Sequence, residues 1–210
     1  MVRPNYPVFV LRSCFREVFT WRGLNHLIAG LDYFRTLEYP LVVEQLNLEP
    51  GMRLLDVGSG RSLFPLLIAS MGCEVWAIDI DAYVLDLQKT AVKFKVNLHV
   101  EVQDVQKMKY SEASFDRISA VSVLEHIPDG GDIAAFNEFS RILKAGGLVV
   151  VTVPFGAHEK ERQKNETEFQ RVYNTQRISD RFTHPLFTLE KTLYFGEKEH
   201  RFIHRWYKLP

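Results

Sequence analysis

The residues that could do chemistry sit in short clusters, each just after an apolar run. Residues 54–62 read Leu-Leu-Asp-Val-Gly-Ser-Gly-Arg-Ser, so Asp56 precedes two glycines, Gly58 and Gly60. Asp79-Ile80-Asp81 closes a second run, Gln103-Asp104-Val105 a third, and Val121-Ser122-Val123-Leu124-Glu125-His126 a fourth. Acids placed this way accept hydrogen bonds from a ligand that carries hydroxyls, an exocyclic amine and an ammonium group. They suit a pyrophosphate poorly. Asp56 lies two residues ahead of the glycine turn, and residues 58–63 read GSGRSL where a dinucleotide loop needs GxGxxG. A nicotinamide-dependent oxidoreductase is therefore disfavoured. The fourth cluster offers a proton acceptor. Histidine is matched to deprotonating a hydroxyl near neutral pH, which makes His126 the candidate base. The competing reading is that its ring orients a loop by bonding to backbone.

Alternating strands and helices must carry these clusters. The turn Glu49-Pro50-Gly51 sets up a strand over Arg53–Val57, and the apolar run Leu63 to Met71 reads as a helix closed by Gly72. Strands follow at Glu74–Asp79, Asn97–Val102 and Phe115–Val123. A helix is expected from Ala82, with Asp81 as its cap, to about Lys95, and another over Asp132–Lys144, ended by Ala145-Gly146-Gly147. Leu148–Val153 is nearly all β-branched, as a strand buried on both faces should be. This spacing predicts an α/β fold: a Rossmann-like, seven-stranded, mostly parallel sheet with helices on both faces. Its last two strands are expected at Leu186–Phe195 and Arg201–Tyr207, an antiparallel pair joined by Gly196-Glu197-Lys198-Glu199. In such sheets ligands bind beyond the carboxyl ends of the strands, where the four clusters fall.

The flanks are read separately. Residues 1–48 form an aromatic-rich N-terminal helical cap or lid, with a helix over Leu41–Leu48, and residues 49–210 form the sheet domain. That cap covers the chain's own site or a second subunit, so a homodimer stays open. His158–Arg171 is polar without periodicity and reads as a mobile loop, and Thr175 is expected to cap a short helix through Phe182.

The segments LLDVGSG, EVWAIDID, VEVQDV, SFDRISAVSVLEHIPD and EFSRILKAGGLVVVTVP occur in one order and spacing across residues 40–155. Together they resemble the class I S-adenosylmethionine-dependent methyltransferases, in particular the small-molecule group that includes ubiquinone and menaquinone biosynthesis enzymes. The resemblance implies S-adenosylmethionine as cofactor and assigns roles. Gly58 and Gly60 let the backbone approach its methionine and ribose. Asp56 orients that loop near the ammonium end, Asp79 accepts the ribose hydroxyls, and Ile80 packs on the adenine. Asp104 accepts from the adenine amino group, with the Val105 backbone at the ring edge and Val121 beside the methionine end. Arg35, with Tyr33 and Phe34, could close over the cofactor carboxylate. Some relatives bind a divalent metal through Glu-x-x-Glu-His; Ser122 stands at the first of those positions, so no metal is expected. The segment 156–171 sits where relatives insert acceptor-binding residues.

Composition excludes more than it selects. Lys plus Arg and Asp plus Glu are equal at 26 each, so no net field draws the chain to nucleic acid. Two cysteines without metal or disulfide spacing, and no apolar run long enough to span a membrane, point to a cytoplasmic protein. No Asn/Asp-Pro-Pro-Tyr/Phe follows the fourth strand, which disfavours methylation of nucleobase amino groups. The expected activity is methyl transfer to a small-molecule or lipid- or glycan-precursor acceptor, with oxygen the leading guess. The alternative is a methyltransferase-like fold that binds the cofactor or a partner without catalysis.

Overall fold

A computed structural model describes residues 31–163 and 169–194, with the side chains of 31–37 and 162–163 left out. Helix α1 spans Leu31–Leu46. The sheet strands are β1 Arg53–Val57, β2 Glu74–Asp79, β3 Leu98–Val102, β4 Phe115–Val121 and β5 Leu143–Thr152. They lie in the order β3-β2-β1-β4-β5, every pairing parallel. Helix α2, Phe64–Ser70, crosses from β1 to β2, and α3, Asp86–Phe94, from β2 to β3. Helix α4, Gly131–Ile142, crosses from β4 to β5.

Strand alternation divides the core between two faces. Leu54, Val75 and Ala77 pack with Val42, Val43 and Leu46 of α1 and with Phe64 and Ile68 of α2. Leu55, Val57, Ile78, Ile118 and Ala120 pack with Phe136, Phe139 and Ile142 of α4. Cys73 is buried in the first cluster, and that burial pushes its thiol above the ordinary range.

Several expectations need correction. An unexpected antiparallel pair, β6, Lys160–Gln163, with β7, Phe169–Val172, forms a separate two-stranded sheet where His158–Arg171 reads as a mobile loop in the sequence. Leu186–Tyr194 forms no strand, and Leu186 and Leu189 are 77% and 79% exposed. Its alternating apolar residues have no strand beside them among the described residues, and an unpaired strand has no stability of its own. Arg201–Tyr207 lies outside the described residues, as does most of the cap. The main sheet therefore has five strands among the described residues, not seven. β5 is half-buried over Gly147–Thr152 rather than buried on both faces, because it is the edge strand of that set. The cap of the last helix, α5 (Thr175–Arg181), is Asn174, whose side chain accepts from Arg177 N at 2.8 Å. The helix expected from Ala82 opens as a 3₁₀ turn over Ala82–Leu85, and Asp81 occupies its cap position without a side-chain bond to the turn's backbone N–H groups. Among the described residues no helix is long and apolar enough to cross a membrane.

Candidate active site

Strand order reverses between β1 and β4: the chain steps outward from β1 through β2 to β3, then returns to β4 and β5 on the other side. A crevice opens at such a switch point, outside the carboxyl ends of the strands. The segments 58–62 and 122–126 meet there. Gly58 and Gly60 hold φ of +64° and +54°, a region that residues with a Cβ enter at a cost. A Cβ on Gly58 would collide with the side chain of Val123, so the first glycine is fixed by its own neighbour as well as by its backbone. A Cβ on Gly60 would point to the Tyr83 ring at 3.6 Å and to Asp79 Oδ2 at 4.0 Å.

Asp56 is buried, with 3% of its surface exposed, and faces the protein. Its Oδ2 accepts from Ser59 Oγ at 2.6 Å, and its Oδ1 accepts from Ser119 Oγ at 2.7 Å. Ser119 is its direct partner across the β1–β4 pairing. Asp56 thus ties the glycine turn to β4, which is an orienting role built on two serines that the sequence reading did not use. Asp79 holds the other rim: Oδ2 accepts from Gly60 N at 2.9 Å and Oδ1 from Asp81 N at 3.0 Å. Gln103 N donates to the Asp79 carbonyl at 2.9 Å, which brings the end of β3, and so Asp104, to the same rim. Asp104 is exposed and its Oδ1 accepts from Gln106 N. Val105 and Val121 turn their side chains into the core. Ile80 leaves 69% of an apolar side chain bare beside these acids. Burial, with the charges of Asp79 and Asp81, holds the nearby Tyr83 phenol above its ordinary value. An exposed apolar face between two carboxylates, beside the glycine turn, fits a flat ring joined to a hydroxylated sugar.

The fourth cluster is held from two sides. Ser122 has φ +52°, and its N–H donates to Thr152 at the end of β5. Ser122 Oγ and Thr152 Oγ1 both donate to Glu38 Oε1, at 2.9 and 3.2 Å. Glu38 is a buried carboxylate on α1, and no motif or spacing marks it in the sequence. Next to it, Tyr39 stacks on Phe64 and bonds Ser62 Oγ at 2.7 Å, while that oxygen accepts from Phe64 N. Helix α1 therefore touches both walls of the crevice. Arg35 lies one turn earlier on α1, and its side chain is outside the described residues, as are those of Tyr33 and Phe34. His126 Nδ1 is 2.9 Å from the Phe169 carbonyl of β7, and Nε2 is 3.8 Å from the buried Glu125. The ring does bond to backbone, and the side chain as a whole is half exposed. Among the described residues no three His, Cys, Asp or Glu side chains converge as a metal site.

Residues 55–151 match the profile of a methyltransferase domain family. Over 105 residues the chain is 30% identical to a ubiquinone biosynthesis O-methyltransferase of Xanthomonas campestris, covering 49% of this chain and 43% of that protein. Residues 55–151 are a class I S-adenosylmethionine-dependent methyltransferase domain. The cofactor of such a domain is S-adenosylmethionine. The chain is also 32% identical over 112 residues to phosphoethanolamine N-methyltransferase 3 of Arabidopsis thaliana, covering 52% of this chain and 22% of that one. The matched stretch spans less than half the length of either relative. The chain's fold is shared with a Burkholderia thailandensis 1,6-didemethyltoxoflavin-N1-methyltransferase solved with bound 1,6-didemethyltoxoflavin and S-adenosylhomocysteine: TM-score 0.63, 16% identity, over 86% of this chain and 77% of that one.

Proposed function

We propose that the chain transfers a methyl group from S-adenosylmethionine to a small-molecule or lipid- or glycan-precursor acceptor, with oxygen the leading acceptor atom. The observation that carries this reading is the rim formed by Asp79, Gly60 and the bare Ile80 at the sheet's switch point. The bound cofactor would supply an electrophilic methyl on sulfur. The chain's own residues bind and orient. The Asp79 carboxylate has lone pairs beyond those used by Gly60 N and Asp81 N, and these take the ribose hydroxyls. Ile80 covers one face of the adenine, Asp104 takes its amino group at the Val105 edge, and Val121 closes the methionine end. Gly58 and Gly60, set by Asp56, keep the turn low enough for backbone contact. Arg35 is the counter-charge for the carboxylate. Residues 1–48 act as the cap, and the protein works in the cytoplasm.

Methyl transfer is an in-line displacement whose catalysis is largely positioning. His126 would add proton removal: a hydroxyl acceptor would give its proton to Nε2 as its oxygen bonds the methyl carbon and the methyl–sulfur bond breaks, the thioether being the leaving group. The curated relatives bear O-methyltransferase in one name and N-methyltransferase in another, so the preference for oxygen rests on His126 alone.

Calorimetry with S-adenosylhomocysteine tests the binding half. Asp79→Ala should weaken binding by roughly 10²–10⁴-fold, the worth of two charge-assisted hydrogen bonds. Unchanged affinity would remove Asp79 from the site. The catalytic half needs labelled-methyl transfer into extracts of the source cell. His126→Gln should slow labelling of the major product by about 10²-fold or more; an unaltered rate across pH would leave His126 only its bond to backbone.

A further inference from the structure

Strand β7 lies against the turn that carries His126, and the side chains holding it there form a buried ion cluster. Phe169 and Arg171 on β7, and Tyr173 just past its end, alternate and so share one face. The Arg171 guanidinium lies over the Phe169 ring at 4.9 Å and is 1% exposed. Its Nη1 donates to Asp132 Oδ2 at 2.9 Å and its Nε to Glu161 Oε1 at 2.8 Å. Asp132, fully buried at the start of α4, also accepts from Tyr173 Oη at 2.9 Å and from Arg181 Nη1. The same Arg171 nitrogen reaches the Ile127 carbonyl, one residue past His126, at 3.4 Å. One guanidinium thus spans the β6–β7 hairpin, the first turn of α4 and the end of the His126 turn.

A carbonyl oxygen only accepts. The 2.9 Å contact between His126 Nδ1 and the Phe169 carbonyl therefore requires the hydrogen on Nδ1. That leaves the lone pair of the neutral ring on Nε2, 3.8 Å from Glu125 and too far for a hydrogen bond to it. We infer that Arg171, anchored by Asp132, is a positioning residue for proton removal: it places the Phe169 carbonyl that selects the Nδ1–H form of His126 and leaves the lone pair on Nε2, the base. This rests on His126 serving as the base. The fold can spare a bare ion cluster here, since buried pairs are often replaceable by apolar residues; the register of one carbonyl against one imidazole is what the cluster adds.

The test reads the ring and needs no acceptor. Long-range ¹H–¹⁵N spectra of the ¹⁵N-labelled chain, with S-adenosylhomocysteine bound, report which ring nitrogen of His126 carries hydrogen. The wild-type protein should show Nδ1–H, against the preference of free imidazole for Nε2–H. Arg171→Lys keeps the charge but cannot reach Glu161 and Asp132 together, and should shift the ratio toward Nε2–H by about fivefold, the worth of one hydrogen bond. Arg181→Lys, which loosens Asp132 from its less buried side, should shift it the same way by less and serves if Arg171→Lys does not fold. A wild-type ring in the Nε2–H form overturns the inference, and so does a ratio unmoved in whichever variant folds. An Nδ1–H ring in a protein whose methyl transfer ignores His126→Gln would instead overturn the proposed base while leaving the positioning intact.

Discussion

At the scale of single residues, burial decided what the motif could not. Asp56 and Asp79 are both acids at strand ends, yet one faces two serines inside the protein and the other faces the rim. A string of letters gives the acids and their spacing; it does not give the facing serine, which comes from a strand 63 residues away in sequence. Gly58 shows the same limit. Its positive φ follows from the turn, but the pressure on it comes from Val123, delivered by the left-handed Ser122. Gly58→Ala should therefore cost about 2–4 kcal/mol, from the backbone penalty together with overpacking. Urea unfolding of the variant measures this, and adding Val123→Ala should recover part of the loss. A cost below about 1 kcal/mol would mean that Val123 moves aside freely.

At the scale of elements, β1 to β5 and the helices between them were readable, because each is a run whose period or β-branched content states its type. The post-sheet region was not readable for a physical reason. β6 and β7 carry little apolar surface, and β7 is fixed through Arg171 and Tyr173 to an aspartate about 40 residues upstream. Stabilisation by ion pairs leaves no hydrophobic period to detect. The reverse error fell on Leu186–Tyr194, which has the period but no neighbouring strand among the described residues. Helix α5 links these observations, since Arg177 and Arg181 reach Glu161 and Asp132 from it. Its start depends on Asn174, which satisfies the Arg177 N–H. Asn174→Ala should cost about 1 kcal/mol, the usual value of such a cap. Amide exchange should quicken over residues 175–181 while the amides of β1 and β4 keep their protection. Equal loss of protection in both regions would mean that α5 and the sheet unfold as one unit.

At the scale of the whole molecule, two arginine–carboxylate systems brace the connections that the sheet does not hold. Glu138 accepts from Arg141 and from Met108 N, and Arg141 in turn caps the carbonyls of Met108 and Tyr110, so the long β3–β4 connection is pinned to α4. Glu161 takes Arg171 and Arg177, pinning the hairpin to α5. The hydrogen bond from Arg141 holds the Glu138 carboxyl below its ordinary value of 4.5, and that from Arg171 does the same for Glu161. A carboxyl that is more acidic folded than unfolded adds stability that is complete above its unfolded value and is lost as pH falls through the folded one. The braces should therefore be intact from neutrality down to about pH 4.5 and release below it. Glu138→Gln removes one brace at all pH values, so its urea midpoint should start lower at pH 7 and fall less steeply below pH 4.5 than that of the wild type. Parallel curves for the two proteins would show that acid unfolding is driven elsewhere, and would leave the braces as contacts without a share in the pH response.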